Sequence, residues 1–441
     1  MRQRFALALL ILLVPFGCDK RQQSQGVFVD GAPATIELEL WTWALRPWFD
    51  DYMADLLADF HAKHPNIRVH WVDIPGDALT RKFFAAGAAG RLPDVVNLPD
   101  KQFMRFSSLG GLMPLDDLLP DNAESTFVQS ALDACRIDGK LMALPWYLST
   151  EMRVMNTRLL AEGGLSPQTL GTQWRELVVQ ARSFRAATGK YLIMTRVGDV
   201  DLLGAIIGEQ LPVILPHDDG GYRSNMTDPR IVEYVSMWAQ AYRDNVIPSE
   251  SATAEYPQLV AQFKEQQVAV INANAIRDIK NQSPHVYEHT QVGPAITGSG
   301  GEANIAAVVI AVSSQSRHPK EAALLAMHIC SPVWQEKLAI RASRLPSTAS
   351  SYETNDAFKM PDDVSGLDQL QLATAISGRQ IQTSARSFIQ PIGSWPDLEK
   401  VFAENMKRAL TAGGDVRSAL GATDREWNRI LRAEAAGLPY R

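Results

Sequence analysis

Between residues 35 and 96 the hydrophobic period switches back and forth between that of a strand and that of a helix, and this constrains the fold more than any other feature. Ile36, Leu38 and Leu40 alternate with Thr35, Glu37 and Glu39, which predicts a strand. Phe49, Tyr52, Met53, Leu56, Leu57 and Phe60 then fall on one stripe of a helix. His64-Pro65-Asn66 ends it, because proline disfavours helical backbone in the residue before it. Ile67, Val69 and Trp71 alternate again, a helix is predicted over 78–89, and Pro93-Asp94-Val95-Val96 reads as a short buried strand. A β-α-β-α-β order of this kind packs helices against a largely parallel sheet, so the fold class is α/β.

At 441 residues the chain is too long for one ordinary core, which predicts two lobes. Asp138-Gly139, between apolar segments 132–137 and 141–144, is a hairpin turn signal. Thr172 is placed to cap a helix carrying Trp174, Leu177, Val178, Ala181 and Phe184. Asp228-Pro229 opens another, with Ile231, Tyr234, Val235, Trp238 and Tyr242 on one face. A strand covers 268–271, His318-Pro319 and Ser331-Pro332 begin helices, and the chain from about residue 365 reads as helical.

The N-terminus reads as an export signal. Arg2 and Arg4 precede an apolar run over 5–14 that is too short to remain as a membrane span. Gly17-Cys18 follows, placed like a lipoprotein cleavage site at which Cys18 is acylated. Lipoboxes usually carry Leu where this chain has Pro15 and a small residue where it has Phe16; the bland alternative is a plain signal peptide with a stray cysteine. Asp19 resembles an inner-membrane retention signal. Residues 1–18 are thus expected to be a signal and 19–34 a polar tether. Cys135 and Cys330 remain, either joined in an oxidising compartment or buried as separate thiols. A net charge of −6 without any Lys/Arg block argues against a nucleic-acid partner.

Catalytic signatures are missing from the sequence: there is no G-x-S-x-G, H-E-x-x-H or P-loop, and no pair of cleft carboxylates is evident. His285 and His289 lack a third ligand nearby and read as a surface pair, so no metal or cofactor is expected. Gly298-Ser299-Gly300-Gly301 reads as a flexible connection. The informative residues are aromatic. Trp41, Trp43 and Trp48 cluster at the end of the first strand, Trp146 and Tyr147 follow Pro145, and Trp395 precedes a helix. Rings at strand ends suit the apolar C–H face of a sugar, while the sugar's hydroxyls need placed polar partners. On period alone Trp174 and Trp238 are core, and Trp41 fits either role.

Segments 60–72, 85–96, 110–118, 138–150, 155–165, 263–272 and 318–345, in this order and spacing, make the chain resemble the extracellular solute-binding proteins of sugar ABC importers, the group that includes maltose-binding protein. The resemblance implies a two-lobed periplasmic-binding-protein fold of type II, with hinged lobes closing around a ligand cleft. One lobe would take 35–144 plus 306–345 and the other 145–303 plus 346–441, with crossings near 144–147, 303–307 and 346–350. It implies no catalysis. The partners are a carbohydrate ligand and the transmembrane permease, and the expected state is a monomer, lipid-anchored outside the cytoplasmic membrane. The carried-over contacts are Trp43, Arg46, Asp100 with Lys101 beside it, Tyr147, Ser149, Asn272, Asn274 and Trp395; Trp41 stands beside them as a candidate from its place at the strand end. Two departures leave the sugar unnamed: Ala306-Ala307-Val308 replaces a common Gly-Gly-Trp, and Ala275 stands where maltose-type members often have Trp. The alternative ligand on the same fold is a glycerol-3-phosphate ester or a polyamine. The rival class is a secreted glycosidase.

Overall fold

The computed structural model describes residues 36–437 except 77, 197–200, 219–220, 343 and 412; the signal, Cys18 and the tether lie outside the described residues. The predicted alternation is realised as strands Ile36–Trp43, Ile67–Ile74 and Val95–Pro99, separated by helices Asp50–Lys63 and Leu79–Ala88. The first strand pairs in parallel with both others. Helix Asp50–Lys63 buries Tyr52, Met53, Leu56, Leu57 and Phe60 and ends at His64, as the proline dictates.

These strands form one edge of a seven-stranded sheet. Beside Val95–Pro99 lies Ala303–Val312, antiparallel to it, then Leu144–Thr150, then the short edge strand Leu345–Pro346; Ala385–Arg386 pairs with the start of Ala303–Val312. A second sheet has four strands in the order Thr290–Gly293, Met152–Asn156, Val268–Ala273, Tyr191–Ile193. Val268, Ala269, Val270 and Ile271 are all buried, as expected for a strand covered on both faces. The turn at Asp138-Gly139 has positive φ at both residues and joins Arg136–Ile137 to Lys140–Leu141, the backbone of a type I′ hairpin.

Several expectations shift. Strand Leu144–Thr150 stays in the larger sheet to its end, paired with Ala303–Val312 from Leu144 through Thr150. The chain therefore passes to the smaller sheet at Glu151, beyond the expected 144–147. At the third crossing, helix Ala349–Thr354 still packs on the Glu124–Thr126 turn and on helix Pro332–Ala342, so return to the smaller sheet waits for helix Gln369–Thr383. The cap of helix Trp174–Thr188 is Gln173, not Thr172. Glu176 reaches back to accept the backbone N–H groups of Thr172 and Gln173 at 2.8 and 3.2 Å. The glycine run at 298–301 is no loose connection either. A side chain on Gly298 would start 2.4 Å from the backbone carbonyl of Gly208, and the Gly300 N–H donates to that same carbonyl at 3.1 Å. Cys135 and Cys330 are buried free thiols.

Candidate functional site

A crevice with about 880 Å³ of atom-free space is lined by residues from both sheets and their flanking helices. Asp100 and Lys101 enter it from the start of helix Asp100–Ser108, which follows strand Val95–Pro99 directly, with Pro99 extended ahead of the helix. Asn272 comes from the central strand of the smaller sheet, and Glu151 from the single residue between the two sheets. Trp174, Phe388 and Trp395 supply aromatic surface.

The polar lining is tied together. The Asn272 Nδ2 donates to Glu151 Oε2 at 2.7 Å, while its Oδ1 accepts the Ile296 N–H at 2.8 Å. The carboxamide is thereby oriented by groups on either side of it. Asn304 Oδ1 accepts the Phe388 N–H at 2.9 Å, and the Arg386 guanidinium holds Glu302 at 2.5 Å. Arg196 holds Asp201 in a two-point pair. Trp395 donates its indole N–H to Glu399 at 2.9 Å, and the other Glu399 oxygen lies 3.9 Å from Lys101 Nζ. Glu399 thus links the helix beginning at Trp395 to the helix beginning at Asp100. Among the described residues five carboxylates (Asp100, Glu151, Asp201, Glu302 and Glu399) and one amine, Lys101, line the crevice.

The residues anticipated from sequence divide. Asp100, Lys101, Asn272 and Trp395 are brought together here. Trp395 is nonetheless only 2% exposed and packs edge-on against Trp427, so it is wall and core at once. Trp41 is not in the lining: it is buried in the larger core, with the Lys82 amine 4.2 Å above its ring. Arg46 lies over Trp71 at 4.2 Å and near Asp50, away from the crevice. Trp43 is half-buried; its backbone N–H donates to Asn97 Oδ1 at 2.6 Å, and its indole nitrogen has no partner among the described residues. Tyr147 and Ser149 are half-buried on strand Leu144–Thr150, opposite Val308 and Ala306, and burial pushes the Tyr147 phenol upward. Asn274 lines a different groove.

Sequence reasoning missed Glu151, Trp174, Asp201, Glu302, Asn304, Phe388 and Glu399. One carried a signal: Tyr147 and Ser149 are two apart on a strand, and the same period leads to Glu151. Trp174 looked like core by helical spacing. As the first residue of its helix it is half-exposed, its ring 5.7 Å edge-on from the buried Trp238. The remainder have no local pattern. Among the described residues no group of three or more His, Cys, Asp or Glu could hold a metal, and no helix is long and apolar enough to cross a membrane.

Residues 46–335 match the family described as bacterial extracellular solute-binding protein. Among curated relatives, the chain is 26% identical over 184 residues to the diacetylchitobiose-binding protein of Streptomyces coelicolor, covering 41% of this chain and 42% of that one. It is 22% identical to the arabinooligosaccharide-binding protein of Bacillus subtilis, over 52% of each chain. The chain thus matches about half the length of these relatives, or less. Among solved structures, a periplasmic-binding protein of Synechococcus sp. MITs9220 assigned to oligosaccharides and solved with zinc superposes at a TM-score of 0.80, with 28% identity over 90% of this chain and all of that one. The sugar-binding protein MalE of Xanthomonas citri shares the fold at a TM-score of 0.72 and 19% identity, over 90% and 97% of the two chains. With the match spanning well over half of its length, and both sheets arranged as in periplasmic-binding proteins, the chain belongs to the bacterial extracellular solute-binding protein family.

Proposed function

We propose that this chain is the extracytoplasmic binding component of an ABC importer that captures a di- or oligosaccharide between its two lobes and delivers it to the permease. One observation carries the reading: in a chain of this family, a crevice between two sheets combines the rings of Trp174, Phe388 and Trp395 with oriented carboxamides and carboxylates. Rings cover the C–H face of a pyranose, and the acceptors take its hydroxyl protons. The relatives named for chitobiose and arabino-oligosaccharides support the same ligand class. Contributions from both bodies support a closing of the lobes on the ligand: Asp100 and Lys101 arrive from one, Asn272 and Trp174 from the other. The mature chain is anchored outside the cytoplasmic membrane through Cys18, acts as a monomer, and performs no covalent chemistry.

A thermal-shift screen with mono-, di- and oligosaccharides tests the ligand class, since a ligand that binds only the folded state raises the melting temperature. A shift with none of them removes the sugar reading, and product formation from any of them favours a glycosidase. Palmitate labelling that persists in Cys18→Ala removes the anchor.

A second reading is favoured by the five carboxylates. Carboxylates beside aromatic rings also suit a polyamine, whereas a lone lining amine suits a phosphate ester poorly. Spermidine belongs in the same screen; a shift with it and none with sugars selects the polyamine.

A further inference from the structure

We propose a second binding site, for a phosphate group, in the groove shared by Arg277 and Arg344. This groove is separate from the aromatic crevice and encloses about 870 Å³ of atom-free space. Arg277 lies on helix Ile276–Gln282, which follows the central strand of the smaller sheet. Arg344 immediately precedes Leu345–Pro346, the edge strand of the larger sheet. The two arginines therefore come from different sheets to line one groove, and both also line the neighbouring groove, where Lys359 is paired with Asp356 at 3.0 Å.

Both side chains are exposed, and among the described residues neither has a carboxylate within ion-pair distance. Several other arginines do carry such a partner, among them Arg136 with Glu124, Arg182 with Asp244, Arg230 with Asp228 and Arg429 with Glu426. The groove's own acid, Asp278, is held by Lys264 at 3.1 Å. An independent feature of the same wall asks for a ligand. Ser377 lines the groove and is only 4% exposed, yet its hydroxyl has no hydrogen-bond partner. Buried hydroxyls without partners are rare enough to need explaining. Asn274 adds a carboxamide to the lining.

Two guanidinium forks and a hydroxyl match a phosphate better than a neutral sugar. Each fork presents parallel N–H groups at the spacing of two phosphate oxygens, and the anion neutralises both cations at once. The group is inorganic phosphate or the phosphate of a small monoester. This site stands whether or not the aromatic crevice binds sugar.

The test is calorimetric titration of inorganic phosphate into the full chain, in chloride buffer of matched ionic strength, with glycerol 3-phosphate as a parallel arm. Phosphate is expected to bind, with Arg277→Gln and Arg344→Gln each weakening it about tenfold. Melting without phosphate should stay unchanged in both variants, because among the described residues neither side chain has a hydrogen-bond or ion-pair partner to lose. Lys101→Gln, in the aromatic crevice, should bind phosphate as the wild type does. Tighter binding of the ester assigns the groove to a phosphorylated metabolite, and equal or weaker binding assigns it to free phosphate. Absence of phosphate binding up to tens of millimolar, or undiminished binding in both arginine variants, overturns the proposal.

Discussion

The larger sheet and the smaller sheet meet the crevice in opposite ways. At the crevice end of the larger sheet, polar side chains are consumed in holding the backbone. Asp73 accepts from Thr42 Oγ1 at 2.7 Å and from the N–H groups of Leu45 and Arg46 at 3.0 and 3.1 Å. Thr42 in turn accepts the Trp71 indole N–H at 2.7 Å, and Asn97 accepts the Trp43 N–H. From beyond these strands Asp100 and Lys101 reach the lining at the head of the next helix, and Asn304 reaches it from strand Ala303–Val312. Around the smaller sheet, the polar side chains bond to one another and face the open space: Asn272 with Glu151, Trp395 with Glu399. One sheet is scaffold with a charged tip; the other, with its helices, is most of the wall. A loop whose acceptors already serve its own N–H groups is rigid and has little capacity left for a ligand.

Paired tryptophan truncations should break this contrast first, with the largest effect. Trp41 and Trp395 are both buried, so Trp41→Ala and Trp395→Ala should each cost about 3–5 kcal/mol of stability in denaturant melts. Only Trp395→Ala should also weaken binding, by calorimetry on the folded fraction, of whichever sugar stabilises the wild type most. Equal affinity loss in both variants would erase the distinction between core and wall.

Glycines sharpen it next. On Gly298 a methyl group meets the Gly208 backbone at 2.4 Å, whereas on Gly76 it meets the Trp43 indole nitrogen at 2.9 Å. Backbone held in a packed wall cannot retreat, while a half-buried indole can turn. Gly298→Ala should therefore cost about 1–3 kcal/mol, and Gly76→Ala clearly less. A larger melting shift for Gly76→Ala would place the stiffer element in the larger sheet.

Asn272→Ala should lose about 1–3 kcal/mol, because the Ile296 N–H loses its acceptor and Glu151 loses the Asn272 donor. Its sugar affinity should fall as well, and Asn272→Asp should restore the acceptor to Ile296 without restoring the donor to Glu151. If Asn272→Asp is as stable as the wild type, the bond to Glu151 contributes nothing.

The smallest expected effect is pH-dependent and belongs to the larger sheet's helices. Burial, with the Lys63 charge next, holds the His328 imidazole below the ordinary histidine range; its Nε2 lies 3.3 Å from the Leu56 carbonyl and 3.4 Å from Asp59. Burial lowers His61 in the same way. The unfolded chain then takes up protons before the folded one does, so this stability is present above about pH 6.5 and is lost as pH falls below it toward the folded value. His328→Gln should flatten the fall in melting temperature between neutral pH and pH 5. An equally steep fall in the variant would move the acid sensitivity elsewhere.

Elements were legible where short-range physics decides them. Alternation along 36–40 and 67–71, the stripe from Phe49 to Phe60, the stop at His64-Pro65 and the turn at Asp138-Gly139 each depend on neighbours within a few residues, and each stands in the structure. The site was legible only in part. Asp100 and Asn272 follow or end strands, where an open sheet places its ligand groups, and both line the crevice. Trp41 lies in the core and not in the lining, an outcome the sequence left open because one rule describes both a ligand platform and a core residue. Arg46 is outside the lining, its guanidinium settled on the ring of Trp71.

By itself, then, the order of periodicities determined an α/β chain whose first three strands run parallel, because side-chain direction along a strand or helix is set by local geometry; that Ala303–Val312 runs against Val95–Pro99 and Leu144–Thr150, and Met152–Asn156 against its own neighbours, was not legible there. Only the tertiary structure decided that Glu151, Glu302 and Glu399, 248 positions apart from first to last (399 − 151), share one crevice, and that Asn274 turns to a different groove. Glutamates on exposed helix faces and at strand ends look alike in sequence. Which of them face a common space depends on how far each strand continues before crossing, and on which helix lies opposite. Those are packing choices set by the whole core, not by any residue's neighbours in the chain.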